Sequence, residues 1–352
     1  HRHCYRGQSD SIHLYTARHP NILEHVNHTT GYYGYSPLHV TVLGHDDNVE
    51  KVIEDMAHIM PSFSEHTQEK LDKPSPATLD DIPERVRIVH YLLDHGASVD
   101  CKDRENRSPL HLAAISGGVD VLPILLDAGA NIDAKDAIGM TPLAYCSQKG
   151  HHSIVQYLIV RNCDISITNV YDQTPLHHAS QHNKVQCVEL LAQHPQLIDQ
   201  QDCDGSSALS LACTAGHSQV VDVLLQHGAD PEVPDKDEQV AVHKAATGGW
   251  CEVLDKLIRK EVDLDLQDNT GSTALHLAIT SRKWEVARRL IQAGCKIDLK
   301  NNLGNTPCHN AIMWDQAKCT SVPSDMSVPS DILDHLFIQT PNTESKNHCG
   351  DT

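Results

Sequence analysis

The sequence predicts an all-α repeat solenoid, a stack of helix-turn-helix units joined by β-turn or hairpin fingers. Near-copies of one phrase begin at 108, 141, 174, 207, 240, 273 and 306, as in SPLHLAA, TPLHHAS and TALHLAI, an unbroken step of 33 residues. An earlier copy, SPLHVTV, begins at 36. A fixed period of this length is the signature of stacked units that bury their apolar faces against one another.

One repeat, residues 136–168, shows why each element forms. Gly139 lies in a turn that requires positive φ. Thr141-Pro142 predicts a helix start, because a hydroxyl caps the helix and proline is preset to helical φ. Gly150 predicts the end of this helix, and a second helix is expected over 152–160. The apolar positions are Leu143 and Cys146 in the first helix and Ile154, Val155, Leu158 and Ile159 in the second.

The phrase T-P-L-H-x-A and its 33-residue period resemble the ankyrin repeat, and the resemblance covers at least residues 96–311. It implies stacked helical hairpins and a concave partner-binding surface built from the turn tips and the first helices. It also implies that the histidine of the phrase hydrogen-bonds locally and ties turns and neighbouring repeats together. The histidines in this slot are His39, His111, His177, His243, His276 and His309.

The repeat frames divide the chain into segments of different regularity. The copies at 36 and 108 are further apart than one period, which predicts an insertion that splits the first full repeat between its helices; a degenerate extra repeat in this gap is the alternative. Near the C-terminus the duplicated phrase SVPSD predicts a second inserted loop. The predicted segments are 1–35 (capping or partial repeat), 36–103 (repeat with an insertion at about 46–84), 104–301 (six regular repeats), 302–340 (last repeat with the SVPSD loop) and 341–352 (disordered tail).

Composition excludes several classes of partner. The 28 basic and 47 acidic residues give a net charge of -19, which repels nucleic-acid phosphates. No apolar run is long enough to insert into a membrane. The first residue is not methionine, so we expect a fragment of a longer protein, monomeric by itself. Six of the twelve cysteines replace aliphatic residues at core positions, which predicts a reducing compartment, the cytoplasm or else the nucleus. They are Cys146, Cys163, Cys187, Cys213, Cys295 and Cys308.

The sequence carries no catalytic motif. HExxH, GxSxG, the P-loop and GxGxxG are absent, and paired histidines such as His151-His152 have no partners at metal-ligand spacing. Acidic residues fall at turn and exposed-helix positions and are interpreted as solvated. We therefore expect no enzyme activity, metal or cofactor. Two hypotheses remain: a protein-interaction scaffold or adaptor, or a regulatory or tethering domain of a larger ion channel, lipid hydrolase, kinase or acyltransferase.

The turn tips supply the candidate binding residues. Positions four, three and one before each helix cap, and seven and eight after it at the exposed end of the first helix, are expected to face a partner. Along the first tips these residues are aromatic, then basic, then apolar. This order suggests a protein or peptide partner with acidic and apolar residues. Packing against the insertions is the alternative for the tyrosines and for Trp314. The predicted partner-binding residues are Tyr32, Tyr33, Tyr35, Arg104, Arg107, Ile138, Met140, Tyr171, Leu303 and Trp314.

Overall fold

The computed structural model describes residue 27, residues 34–43 and 84–316, and residues 329 and 332, with backbone only for 84 and 313–316. The chain divides into two compact units, His1–Val170 and Tyr171–Thr352. In the described part, every regular element is an α-helix or a 3-10 turn, and no strand is present. The predicted all-α repeat solenoid is confirmed.

The first unit contains six described helices, and the first helix of each repeat packs against the first helix of the next. α1 contacts α3, and α3 contacts α5; each also contacts the second helix of its own repeat, so α1 packs on α2, α3 on α4 and α5 on α6. The helices are α1 (Pro37–Leu43), α2 (Glu84–Asp94), α3 (Pro109–Ser116), α4 (Leu122–Asp127), α5 (Pro142–Lys149) and α6 (His152–Val160).

The second unit continues the same arrangement with two parallel rows of helices. First helices α7, α9, α11, α13 and α15 contact one another in that order, and so do second helices α8, α10, α12 and α14. The helices are α7 (Pro175–Gln181), α8 (Val185–Leu191), α9 (Ala208–Ala215), α10 (Ser218–Gln226), α11 (Ala241–Gly248), α12 (Cys251–Arg259), α13 (Ala274–Thr280), α14 (Trp284–Gln292) and α15 (Pro307–Gln316), with a 3-10 turn at Pro195–Leu197.

Local signals in the repeat at 136–168 act as their chemistry predicts. The Thr141 hydroxyl accepts a hydrogen bond from the Ala144 N–H at 3.2 Å, and Gly150 ends α5 in the left-handed region at φ +90°. α6 spans 152–160, as predicted, and buries Ile154, Val155 and Leu158. Ile159, predicted on the same stripe, is only partly buried.

Within each unit, small and branched side chains fill the space between the two helices of a repeat and the next repeat. Six of the eight caps are followed two residues later by an almost fully buried leucine, and burying such a side chain contributes about 1.5–3 kcal/mol. All six cysteines predicted at core positions are buried. The leucines are Leu38, Leu110, Leu143, Leu176, Leu209 and Leu275.

Several predicted segments fall on residues outside the described part. These are most of 1–35, nearly all of the insertion at 46–84, most of the SVPSD loop and the tail at 341–352. On either side of the insertion, α1 packs against α2 and also directly against α3. The helices that flank the insertion, α1 and α2, are thus packed as one hairpin. Whether the residues between them form an insertion or a degenerate repeat remains a prediction.

The position two residues before each cap has positive φ in every described repeat. Gly139 has φ +78° there, whereas Glu238 has φ +59°. A side chain with a Cβ is disfavoured in this region by about 1–2 kcal/mol, and glycine loses part of this advantage through its unfolded-state entropy. We expect Glu238→Gly to stabilise the second unit by about 0.5–1 kcal/mol, measured as a raised urea midpoint.

The matched control is Gly205→Ala, at the same position of the preceding repeat. Its φ is +76°, and an added Cβ would lie 2.9 Å from the Lys236 nitrogen. This variant should therefore lower the midpoint. An unchanged or lower midpoint for Glu238→Gly would contradict the strain argument.

Candidate protein-binding surface

The turn tips are held in place by two sets of backbone hydrogen bonds. Within the turn before α5, the Asp136 N–H donates to the Met140 carbonyl at 3.0 Å. Between turns, the N–H four residues before a cap donates to the carbonyl three residues before the preceding cap. In the first unit these bonds are Ala137 to Glu105 at 2.9 Å and Val170 to Ile138 at 3.0 Å; in the second they are Cys203 to Tyr171, Lys236 to Asp204, Asn269 to Asp237 and Asn302 to Thr270, at 2.9–3.1 Å.

An acid or amide side chain closes six of the turns from inside. The Asp136 Oδ1 accepts the N–H groups of Ile138 at 2.9 Å and Met140 at 2.8 Å, and its Oδ2 accepts the Tyr145 hydroxyl at 2.6 Å. In the preceding turn, Asp103 accepts two N–H groups in the same way and binds Arg107. The other residues with this role are Asp202, Asp235, Asp268 and Asn301.

The interpretation of the acidic residues as solvated is wrong for these turn positions. Asp103, Asp136, Asp202 and Asp268 are each less than a tenth exposed. A buried N–H group in a turn needs a hydrogen-bond acceptor. The short side chain of an aspartate in the same turn provides that acceptor. The signal was visible in the sequence, because Asp or Asn stands five residues before each of the seven caps from 108 to 306.

The histidines of the repeated phrase join each helix start to the next turn. In His111, Nδ1 lies 3.1 Å from the Ser108 N–H, and Nε2 lies 3.0 Å from the Met140 carbonyl. A backbone N–H only donates and a carbonyl only accepts, so this geometry fixes the neutral imidazole with its proton on Nε2. Burial lowers the pKa of His111 to about 4. His39, His177, His243 and His276 make the same pair of contacts. His309 makes the contact with its own helix start.

The prediction that Met140 faces a partner is wrong. Its side chain is only 2% exposed and its sulfur lies 3.7 Å from the Asn169 side-chain nitrogen. Met140 immediately precedes the helix cap, where its carbonyl accepts from His111 and its N–H donates to Asp136. With both its N–H and its carbonyl hydrogen-bonded, Met140 directs its side chain toward the neighbouring turn and not toward solvent.

Tyr35 and Arg107 occupy the same position before their caps. The Arg107 guanidinium forms ion pairs with Asp103 at 2.8 Å and Glu105 at 3.0 Å, and its side chain is 14% exposed. It also donates to the Tyr35 hydroxyl at 3.1 Å and lies over that ring. Tyr35 is half-buried, and burial raises its pKa. Both side chains have partners within the first unit, so neither offers an unsatisfied group to a ligand.

In the turns that the structure describes, the positions three and four residues before the cap project outward, with Cys203 only partly exposed. Ile138 and Val170, adjacent through their backbone hydrogen bond, are 47% and 62% exposed, and Arg104 is exposed. In the second unit, Tyr171 and Leu303 are exposed at their tips. Val170 was not among the predicted binding residues. Tyr32, Tyr33 and the side chain of Trp314 lie outside the described residues.

Most of the charged residues at 100–149 have partners within the fold. Every carboxylate between 100 and 149 has a partner: Asp103, Glu105, Asp120 and Asp127 face arginines, and Asp100, Asp133 and Asp136 accept backbone N–H groups. Lys102 and Lys149 are exposed, and neither has a carboxylate partner among the described residues.

In the part of the chain that the structure describes, no helix is long and apolar enough to cross a bilayer. Nor do three or more histidine, cysteine, aspartate or glutamate side chains there come together as metal ligands would.

Turn tips, capped first helices and packed second helices at a 33-residue period define a repeat protein of the ankyrin class. The sequence model of the ankyrin repeats matches three times, over residues 84–169, 143–235 and 240–322. The chain belongs to the ankyrin repeat family. Ankyrin repeats generally mediate protein–protein interactions. No curated protein matches this chain.

Proposed function

We propose that this chain is a protein-interaction scaffold or adaptor without catalysis of its own, and that its first unit binds a partner bearing acidic and apolar residues. One observation supports the proposal above the others. Ile138 and Val170 are exposed apolar side chains on turns that are held in place by backbone hydrogen bonds, and the exposed Lys102 lies close to the preceding turn in the sequence. Exposed apolar side chains on a rigid frame contribute to binding because little conformational entropy is lost.

The compartment that we propose is the cytoplasm. All nine cysteines of the described residues are free thiols, and six lie in the core. Burial raises the pKa of Cys163 to about 12 and that of Cys187 to about 11, which keeps these thiols protonated and slow to oxidise. Such thiols serve as small hydrophobic residues, a use that suits a reducing environment.

The proposal predicts which substitutions remove a partner. In affinity capture from cytosolic lysate, Ile138→Ser/Val170→Ser is expected to lose the protein that the wild type retains, because the apolar contact is removed while the turn hydrogen bonds remain. The control is Val160→Ser, at the end of α6, where the side chain is 71% exposed but lies on a helix and not on a turn tip. It should retain the same protein.

Raised salt should release the retained protein, since exposed charges are screened within about 8–10 Å at physiological ionic strength. Equal capture by the wild type and the double variant would exclude this surface. A captured partner that is confined to the extracellular space would contradict the cytoplasmic assignment.

A further inference from the structure

The first three turn tips of the second unit carry four exposed carboxylates and one exposed cation. They belong to a strongly acidic part of the chain, because residues 171–249 hold eleven aspartates and glutamates, three lysines and no arginine. The exposed residues of these tips are Asp172, Asp204, Asp237 and Glu238, with Lys236 as the one basic residue among them. The tips thus form a negatively charged surface.

Little within the fold neutralises these carboxylates. In the described part of the chain, Asp172, Asp204 and Glu238 have no side-chain hydrogen bond or ion pair. Asp237 accepts a hydrogen bond from the uncharged Asn269 amide at 3.3 Å. Lys244 of α11 is already paired with the turn residue Asp235 at 2.5 Å. Carboxylates that are exposed at fixed positions without a cationic partner attract a cationic ligand.

The exposed side chains recur at one position of successive repeats. Asp204, Asp237, Thr270 and Leu303 each lie three residues before a cap, and they are here called the tip row. Each tip is joined to the next by a backbone hydrogen bond, as from the Lys236 N–H to the Asp204 carbonyl at 3.1 Å. Packed helices are separated by about 8–10 Å, so neighbouring members of the tip row are about 8–10 Å apart.

Leu303 gives the tip row an apolar end. Its side chain is 67% exposed, while its N–H is held by the Asn301 side chain at 3.0 Å. Thr270, between Asp237 and Leu303, is exposed and neutral. An exposed apolar side chain on a rigid frame contributes to binding because little conformational entropy is lost. The tip row therefore suits a ligand with cations at one end and an aliphatic side chain at the other.

The interval of the tip row matches a polyproline II segment. This conformation has three residues per turn and a rise of about 3.1 Å per residue, so every third side chain points the same way at intervals of about 9 Å. A strand turns alternate side chains to opposite faces and does not present every third one to the same surface. A helix in a groove needs anchors at i, i+3, i+4 and i+7, whereas the tip row offers one side chain per repeat.

From this match we infer that the tip row binds a basic segment of a partner protein in the polyproline II conformation. Lysine or arginine side chains three residues apart face Asp204 and Asp237, and an aliphatic side chain six residues from the second cation packs on Leu303. The charge of the tips selects the basic segment, since an acidic one would be repelled. This surface lies in the second unit and goes beyond the binding proposed for Ile138 and Val170.

The test uses the full chain and two labelled proline-rich peptides of identical composition. In the first peptide, two lysines stand three residues apart and a leucine follows six residues after the second; in the second peptide, the lysines and the leucine are adjacent. Fluorescence anisotropy should give a dissociation constant at least threefold lower for the first peptide. Asp204→Asn/Asp237→Asn should weaken its binding about three- to tenfold, and Leu303→Ser about fivefold. Lys236→Gln removes the opposing cation and should strengthen binding about twofold.

The matched control removes two exposed carboxylates that lie away from the tips. Glu189→Gln/Glu252→Gln changes the net charge by the same amount on the second helices α8 and α12. It should leave peptide binding unchanged at physiological salt, where distant charges are screened. Circular dichroism of every variant shows that the fold is retained.

Equal binding of the two peptides, or unchanged binding by Asp204→Asn/Asp237→Asn, would overturn the inference. Tighter binding of a helix-forming peptide whose lysines are seven residues apart would do the same. Displacement of the first peptide by calcium chloride, but not by sodium chloride of equal ionic strength, would assign the carboxylates to a metal cation instead. These outcomes are independent of Ile138 and Val170, so partner capture by the first unit is judged separately.

Discussion

Acidification from pH 7 to about pH 5 is expected to lower the stability of both units by several kcal/mol. The cause is the row of buried neutral histidines. In each capping pair, Nδ1 faces a backbone N–H and Nε2 a backbone carbonyl, as in His111 and His276. A proton added to Nδ1 would point at another N–H, so the folded chain resists protonation at these sites by geometry as well as by burial.

The direction follows from the pKa shifts. Burial lowers the pKa of His39, His177, His243 and His276, and it lowers those of His111 and His178 to about 4. An unfolded histidine has a pKa of about 6.5, so below that pH the unfolded chain binds more protons. Stability is therefore fully present above about pH 6.5 and is lost as the pH falls toward 4.

The expected loss of stability on acidification is large compared with the total stability of a typical domain. With a shift of this size, each of His111 and His178 costs about 2 kcal/mol between pH 6.5 and pH 5, where most carboxylates are still ionised. Whole domains are stable by only about 5–15 kcal/mol.

Urea unfolding followed by circular dichroism at pH 7, 6 and 5 measures the effect. His111→Gln should be less stable at pH 7 but lose less on acidification, while the exposed His152→Gln should behave as the wild type. A urea midpoint that stays constant from pH 7 to pH 5 would refute this account.

The periodic sequence predicts the helices well because their signals are local and repeated. Thr141-Pro142 and Gly150 mark the two ends of α5, and the apolar stripe marks α6, so the bounds agree with the structure. Each of these signals depends on backbone preferences that neighbouring repeats do not alter. The spacing of the apolar residues along a helix also predicts which side chains face the core, as Leu143 and Cys146 do.

The turns were harder to predict because they contain no periodicity of their own. Only the positions of Ala137 and Ile138 project outward, whereas Asp136 and Met140 on either side are buried. Which residue turns inward is decided by hydrogen bonds to the next repeat, a contact between residues 29 apart in the case of His111 and Met140. No local pattern reports such a contact, although the recurrence of Asp five residues before the cap was a usable sign of a buried role.

Replacing Asp136 by alanine is expected to destabilise the first unit by about 3–4 kcal/mol. The carboxylate binds two backbone N–H groups and the Tyr145 hydroxyl at distances of 2.6–2.9 Å. Hydrogen bonds to a charged group contribute about 1.5–3 kcal/mol, and a buried N–H left without an acceptor costs about 1–3 kcal/mol. Asp204→Ala, at an exposed tip of the second unit, is the control and should change stability by less than about 0.5 kcal/mol.

The conservative variant Asp136→Asn separates the turn's architecture from its charge. Asn301 already holds the turn before α15 with one oxygen that accepts the N–H groups of Leu303 and Asn305 at 3.0 and 2.9 Å. An amide at 136 should therefore keep the turn and lose only about 1 kcal/mol, as the amide nitrogen now faces the Tyr145 hydroxyl. Because Ile138 is placed by this turn, Asp136→Ala should also weaken partner binding at the surface of Ile138 and Val170, and Asp136→Asn should preserve it. Equal losses of stability in the two variants would show that charge, and not the acceptor oxygen, holds the turn.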